Sequence, residues 1–137
     1  MINLLIYLSV LLFLIIVLST IFTRIVTQKI KRSIPKFGKT TVLQDAEIHW
    51  YEAGQGRPII MLHGLAGNLR NFTYALSEKL DKDYRVIAID RAGCGWSKRL
   101  KPEIAALQEQ ARIVSEFIEQ EQIEKPLIVG HSLGGAI

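Results

Sequence analysis

Between Ile2 and Phe22 no side chain is charged, and the only polar interruptions are Asn3, Tyr7, Ser9, Ser19 and Thr20. About 20 apolar residues at 1.5 Å rise cross the roughly 30 Å hydrocarbon core of a bilayer. Apolar residues fall on all sides of the implied helix, which leaves it no polar face for water and disfavours a place as a core helix. The competing reading is a cleavable signal peptide. Against it, no Lys or Arg precedes the run, the run is long for such a segment, and no small-residue cleavage pattern follows. The expectation is a transmembrane anchor over residues 1–23, with the bilayer as partner.

The formal net charge of +4 is a local property. Arg24, Lys29, Lys31, Arg32, Lys36 and Lys39 all precede the first acid, Asp45. Setting these six aside from the 17 basic residues leaves 11 against 13 acidic ones. The basic balance therefore does not point to nucleic acid. Positive residues beside a membrane helix favour the cytoplasmic side, so the globular part is expected there, after a basic linker over 24–39. Such a collar also attracts anionic lipid, by about 1 kcal/mol per basic residue near the surface. The single cysteine, Cys94, allows no internal disulfide and fits a reducing compartment. No Cys/His cluster suggests a metal, and no cofactor is expected.

From Thr40 to Ile137 the rhythm becomes that of one globular domain. Thr40–Leu43 and Ala46–Glu52 read as short strands around an Asp45 turn. Pro58–Leu62 is a short continuous apolar run, as in a strand buried on both faces. After it, Asn68 is suited to an N-cap, and Leu69, Phe72, Leu76 and Leu80 recur at helical spacing. Tyr84–Ile89 reads as the next strand. Pro102 opens a second helical stripe that runs through Ile104, Leu107, Ala111 and Val114 to about Gln122. Leu127–Val129 is the last strand. The alternation implies an α/β fold with a mostly parallel sheet and right-handed crossovers.

Each of the three apolar strands runs into a glycine-bearing turn. These are His63-Gly64-Leu65, the stretch from Asp90 through Gly93 and Gly95 to Ser97, and Gly130-His131-Ser132-Leu133-Gly134. Strand C-termini are where open α/β sheets place ligands. Together, in this order, the three turns resemble the α/β-hydrolase superfamily, in particular its esterase- and lipase-like branch. The resemblance covers Ala46 to Ile137, the first half of such a fold. One Gly-x-Ser-x-Gly alone is a weak signal; the three turns together are specific.

The resemblance implies roles at matching positions. Ser132 corresponds to the nucleophile, and the backbone N–H groups of Leu133 and Leu65 correspond to the oxyanion hole. His63, Gly64, Asp90, Gly93, Gly95, Gly130 and Gly134 correspond to structural positions. The implied activity is hydrolysis of small-molecule carboxylic esters, lipid esters among them, through an acyl-serine. Serine at the elbow argues against the dehalogenase and epoxide-hydrolase branches, which carry aspartate there, and leaves esterase, lipase, thioesterase, carbon–carbon hydrolase and cofactor-free perhydrolase open.

A serine hydroxyl needs a base. His131 adjoins the serine and is expected to pack beside the elbow, His63 holds its loop, and His49 lies on an early strand as a solvated or packed residue. The superfamily's chain order, Ser…Asp/Glu…His, places acid and base beyond Ile137. The expectation is therefore the N-terminal part of a membrane-anchored serine hydrolase, inactive as residues 1–137 alone. The alternative is a truncated, non-catalytic membrane-tethered protein. Asp90 is read as a loop brace through local backbone or Arg91. Gly93-x-Gly95 is no dinucleotide fingerprint, because Lys98 stands at its third position. Trp96 and Tyr74 are read as packing residues.

Overall fold

The computed structural model describes residues 2–137. It divides into two compact units, residues 1–36 and 37–137. The first unit is a single helix, α1 (Ile2–Ser33). The helix does not stop at Phe22 but continues through much of the basic segment. The hydroxyls of Ser9, Thr20 and Thr23 donate to the carbonyls four residues earlier, each at 2.8 Å. These polar interruptions are thus satisfied within the helix and impose little penalty in an apolar medium. The stretch Asn3–Ile30 is long and apolar enough to span a membrane.

The second unit is a sheet with helices on both faces. Its strands are β1 (Lys39–Val42), β2 (Ala46–Ala53), β3 (Arg57–Leu62), β4 (Tyr84–Ile89), β5 (Lys98–Arg99) and β6 (Leu127–Gly130). The spatial order is β1-β2-β4-β3-β6, with β5 pairing β2. The sheet is mixed: β2 runs antiparallel to β1, β4 and β5, whereas β3 runs parallel to β4 and β6. The parallel part is confined to the strands joined by helical crossovers.

Successive side chains of a strand point to opposite faces, and the two cores follow from that alternation. Ile60, Leu62, Ile87 and Ile89 join Ile48 and Trp50 on one face, against Ile104, Ile113 and Phe117. The last two belong to helix α4 (Leu107–Gln120). Phe117 meets the Trp50 ring edge-on, centroids 5.4 Å apart. Ile59, Met61, Val86 and Ala88 point to the other face, against Leu69 and Phe72. Apolar runs in β3 and β4 are therefore continuous because both faces are covered.

Two expected helices differ in detail. The stripe over 69–80 is broken into α2 (Arg70–Thr73) and α3 (Ser77–Leu80). The Ser77 hydroxyl donates to the Thr73 carbonyl at 3.2 Å, bridging the two short helices. Asn68 does close the start: its Oδ1 accepts the Arg70 N–H, and Asn71 Oδ1 accepts the Asn68 N–H, both at 2.9 Å. The second stripe begins as a 3₁₀ turn, Pro102–Ala105, before extended backbone at Ala106 starts α4. Tyr74 is 89% exposed and is not a packing residue.

Replacing Phe117 by Ala should lower unfolding stability by about 3–5 kcal/mol, since it empties the Trp50 contact at the centre of the larger core. A urea midpoint within error of wild type would contradict this packing.

Candidate active site

The parallel register aligns the three turns. Leu62 pairs with Ile89 on one side and with Gly130 on the other. These are the last residues of β3, β4 and β6, so His63, Asp90 and His131 leave the sheet at one level of one edge. The His131 N–H donates to the Leu62 carbonyl at 2.9 Å and extends the ladder into the elbow.

At the elbow Ser132 has φ +54°, a left-handed conformation that is costly for a residue with a Cβ. The serine thus takes the strained torsion, and the flanking glycines serve a different purpose, close approach. A Cβ at Gly134 would stand 2.7 Å from the Leu62 carbonyl carbon and 2.8 Å from the His63 oxygen. A Cβ at Gly130 would fall 2.5 Å from the Gly134 carbonyl carbon. The turn can fold back onto β3 only with hydrogen at both places. Ser132 itself is exposed, and a 3₁₀ helix, Ser132–Ala136, begins at it.

The 63–67 turn lies beside the elbow. A Cβ at Gly64 would sit 3.0 Å from the Ser132 Cβ and 3.1 Å from the His131 oxygen. The carbonyl of Gly64 accepts His63 Nδ1 at 2.9 Å and the Gly67 N–H at 3.3 Å. His63 is fully buried, and its Nε2 accepts the Arg91 N–H at 3.0 Å. With one nitrogen accepting and the other donating, the ring is neutral with its proton on Nδ1. Burial pushes the His63 pKa below its ordinary 6.5, with the Arg91 cation adding to the effect. The Gly64 bond and Asp90 oppose it.

Asp90 is 1% exposed and holds the site from below. Its Oδ1 accepts the Leu69 N–H at 2.7 Å; its Oδ2 accepts the Trp96 N–H at 2.9 Å and lies 2.7 Å from His49 Nδ1. The expected partners for Asp90 were local backbone or Arg91. The backbone partner is present in the Trp96 N–H, but the side chain Asp90 meets is His49 and not Arg91; His49 is 1% exposed, packed rather than solvated, and hydrogen-bonded as well. The other ring nitrogen of His49 contacts the Phe37 carbonyl. Gly95 packs directly on the Asp90 carboxylate, and Gly93 lies in the same turn with φ +85°. No sequence signal marks the His49–Asp90 pair, because it forms only when β2 lines up antiparallel to β4.

Chemically, the edge presents an exposed hydroxyl and main-chain donors. The Leu133 N–H, in the first turn of a 3₁₀ helix, and the Leu65 N–H, in an exposed turn, have no acceptor among the described residues. Free N–H groups of this kind can stabilise an oxyanion, and losing one costs about 2.7–4 kcal/mol in acyl-transfer enzymes. His131 is exposed at the elbow, which differs from the expected packing there. The rings of His49 and His63 are committed elsewhere.

The profile of the alpha/beta hydrolase fold family matches residues 57–137, more than half of the chain. This protein belongs to the α/β-hydrolase family. It is 34% identical over 120 residues to 2-hydroxy-6-oxo-6-phenylhexa-2,4-dienoate hydrolase of Comamonas testosteroni, covering 80% of this chain and 40% of the relative. It is 39% identical over 98 residues to 2-hydroxy-6-oxo-6-(2'-aminophenyl)hexa-2,4-dienoic acid hydrolase of Metapseudomonas resinovorans, covering 66% and 32%. A solved N-acyl homoserine lactonase, complexed with N-hexanoyl homoserine lactone, superposes with a TM-score of 0.67 at 28% identity, covering 72% of this chain and 37% of that one. The chain thus spans about a third to two fifths of these relatives.

The neutral, buried His63 makes stability pH-dependent in a defined direction. Its folded pKa lies below its unfolded one, so its contribution is complete above about pH 6.5 and is lost as pH falls below that value. Urea midpoints at pH 7.5 and 5.5 should therefore differ more for wild type than for His63→Asn, which keeps a donor toward Gly64 but does not titrate. Equal differences would remove His63 as a source of acid sensitivity.

Proposed function

We propose that this chain carries the nucleophile and oxyanion hole of a membrane-anchored serine hydrolase acting on small-molecule carboxylic esters, lipid esters included. The observation that carries the reading is Ser132 in its left-handed torsion, exposed at the end of a parallel strand, with the Gly64 turn against it. In the proposed reaction Ser132 Oγ attacks the ester carbonyl carbon and forms a tetrahedral intermediate. Its oxygen takes the negative charge and is bound by the Leu65 and Leu133 N–H groups. The C–O bond then breaks, leaving an acyl-serine that water hydrolyses.

The proton of Oγ goes to an imidazole and returns to the leaving alkoxide. The rings of His49 and His63 are committed elsewhere and His131 adjoins the serine in the chain, a poor position for a base to its hydroxyl, so in this reading the imidazole and its carboxylate come from outside residues 1–137. This chain alone is therefore inactive. The hydrolase names of the relatives support the reaction class; the ester preference rests on the sequence resemblance.

A fluorophosphonate probe tests the assignment. The whole protein should label at Ser132, Ser132→Ala should lose labelling and on the order of 10⁶-fold in turnover, and residues 1–137 should not label. Absence of labelling in the whole protein would defeat the serine-hydrolase reading. Strong labelling of residues 1–137 would defeat the need for an outside base.

The anchor and its orientation belong to the same proposal, supported by the length of α1 and the basic residues that follow its uncharged part. Single cysteines placed after Lys39, in a Cys94→Ser background, should be shielded from an impermeant thiol reagent in intact cells and react after permeabilisation. Labelling in intact cells would overturn the cytoplasmic placement.

A further inference from the structure

Arg91 stands just after β4, outside the Gly-x-Ser-x-Gly segment, and is 6% exposed. Its Nη2 donates to the Gly64 carbonyl at 3.0 Å, while its own N–H donates to His63 Nε2 at 3.0 Å. It therefore acts on one peptide twice, directly through the guanidinium and indirectly through the ring that also donates to that carbonyl at 2.9 Å. No carboxylate pairs with the guanidinium among the described residues, and its buried Nε has no hydrogen-bond partner there. An unpaired cation with an orphan donor is a poor choice for filling space, since a methionine would fill it without that penalty.

The Gly64–Leu65 peptide is trans, so its C=O and N–H point in opposite directions. Fixing the carbonyl toward Arg91 and His63 fixes the Leu65 N–H toward the opposite side. A cation at the oxygen end also polarises the amide and strengthens the hydrogen at its nitrogen end. We propose that Arg91 is a positioning residue: through the Gly64 carbonyl it orients and polarises the Leu65 N–H as an oxyanion donor. This rests on the reading of Ser132 as the nucleophile.

The test uses the whole protein, with Arg91→Met and Arg91→Lys. A positioning role acts only when negative charge develops on the substrate oxygen. Arg91→Met should lower kcat by about 10- to 100-fold, less than the 10²–10³ for outright loss of a donor, with KM within about twofold. A trifluoromethyl ketone, which adds to the serine and places an oxyanion in the hole, should bind weaker by a similar factor. Arg91→Lys, which keeps a cation and a donor, should recover part of both losses.

Unchanged kcat, or a kcat loss without weaker ketone binding, would overturn the proposal. A thermal midpoint recorded for each variant identifies loss of fold. If Arg91→Met does not fold, ketone affinity and kcat of Arg91→Lys decide: a parallel fall in both supports the role, and wild-type values of both oppose it. A wild-type protein that neither turns over esters nor binds the ketone at Ser132 would defeat the hydrolase reading, and the positioning role with it. Active wild type with an indifferent Arg91→Met defeats only the latter.

Discussion

The parallel register of β3 with its two neighbours is the constraint on which the remaining features depend. Leu62 is paired on both sides, with Ile89 and with Gly130. A slip of one residue in either pairing would turn the apolar set of a strand to the wrong face. Here that would place Ile60 and Leu62 against the α2 side and expel Ile59 and Met61 from it. Because both faces are covered by apolar layers, the register is tightly specified. The same register sets the heights at which three polar turns emerge, so packing in the core fixes the geometry of groups at the edge.

The turns are then joined by buried polar bonds rather than by more apolar contact. Asp90 takes backbone donors from Leu69 and Trp96, one before and one after it in the chain, and meets His49 across the sheet. Ser97 adds a further link, donating to the Asp90 carbonyl at 2.6 Å and accepting the His49 N–H at 2.7 Å. Removing one partner from a buried network of this kind leaves the others without compensation, which costs far more than a surface pair is worth. The exposed ion pairs on this chain, such as Lys98–Glu47, are of the latter sort. Stability and loop geometry are therefore concentrated in the same few residues.

What the sequence discloses follows from how local each determinant is. β4 is legible to the residue, Tyr84–Ile89, because a continuous apolar run flanked by polar turns has a single reading. β5 is not, since two residues, Lys98 and Arg99, form a strand only by lying beside Ala46 and Glu47. The break between α2 and α3 is not encoded in hydrophobic spacing, which continues through it at Leu76. The helical continuation past Phe22 was masked by charge: Arg24 and Lys29 end the apolar run but are good helix formers. In the candidate site, Ser132 and its glycines stand out as a motif. His49 and Arg91 do not, because their roles exist only across strands and turns distant in sequence.

The elbow shows why a motif and its surroundings cannot be separated. A left-handed serine carries a backbone penalty of about 1–3 kcal/mol. That conformation persists only if something else makes the relaxed one worse. Here the something else is β3: the chain after Ser132 folds back so closely that Gly134 lies against the carbonyls of Leu62 and His63. The glycine permits the contact, the contact holds the turn, and the turn presents the hydroxyl. But β3 also carries the Gly64 turn that stands against Ser132. One strand therefore supports the strained serine from beneath and carries the Gly64 turn that packs against it, so that any movement of β3 would displace both turns together.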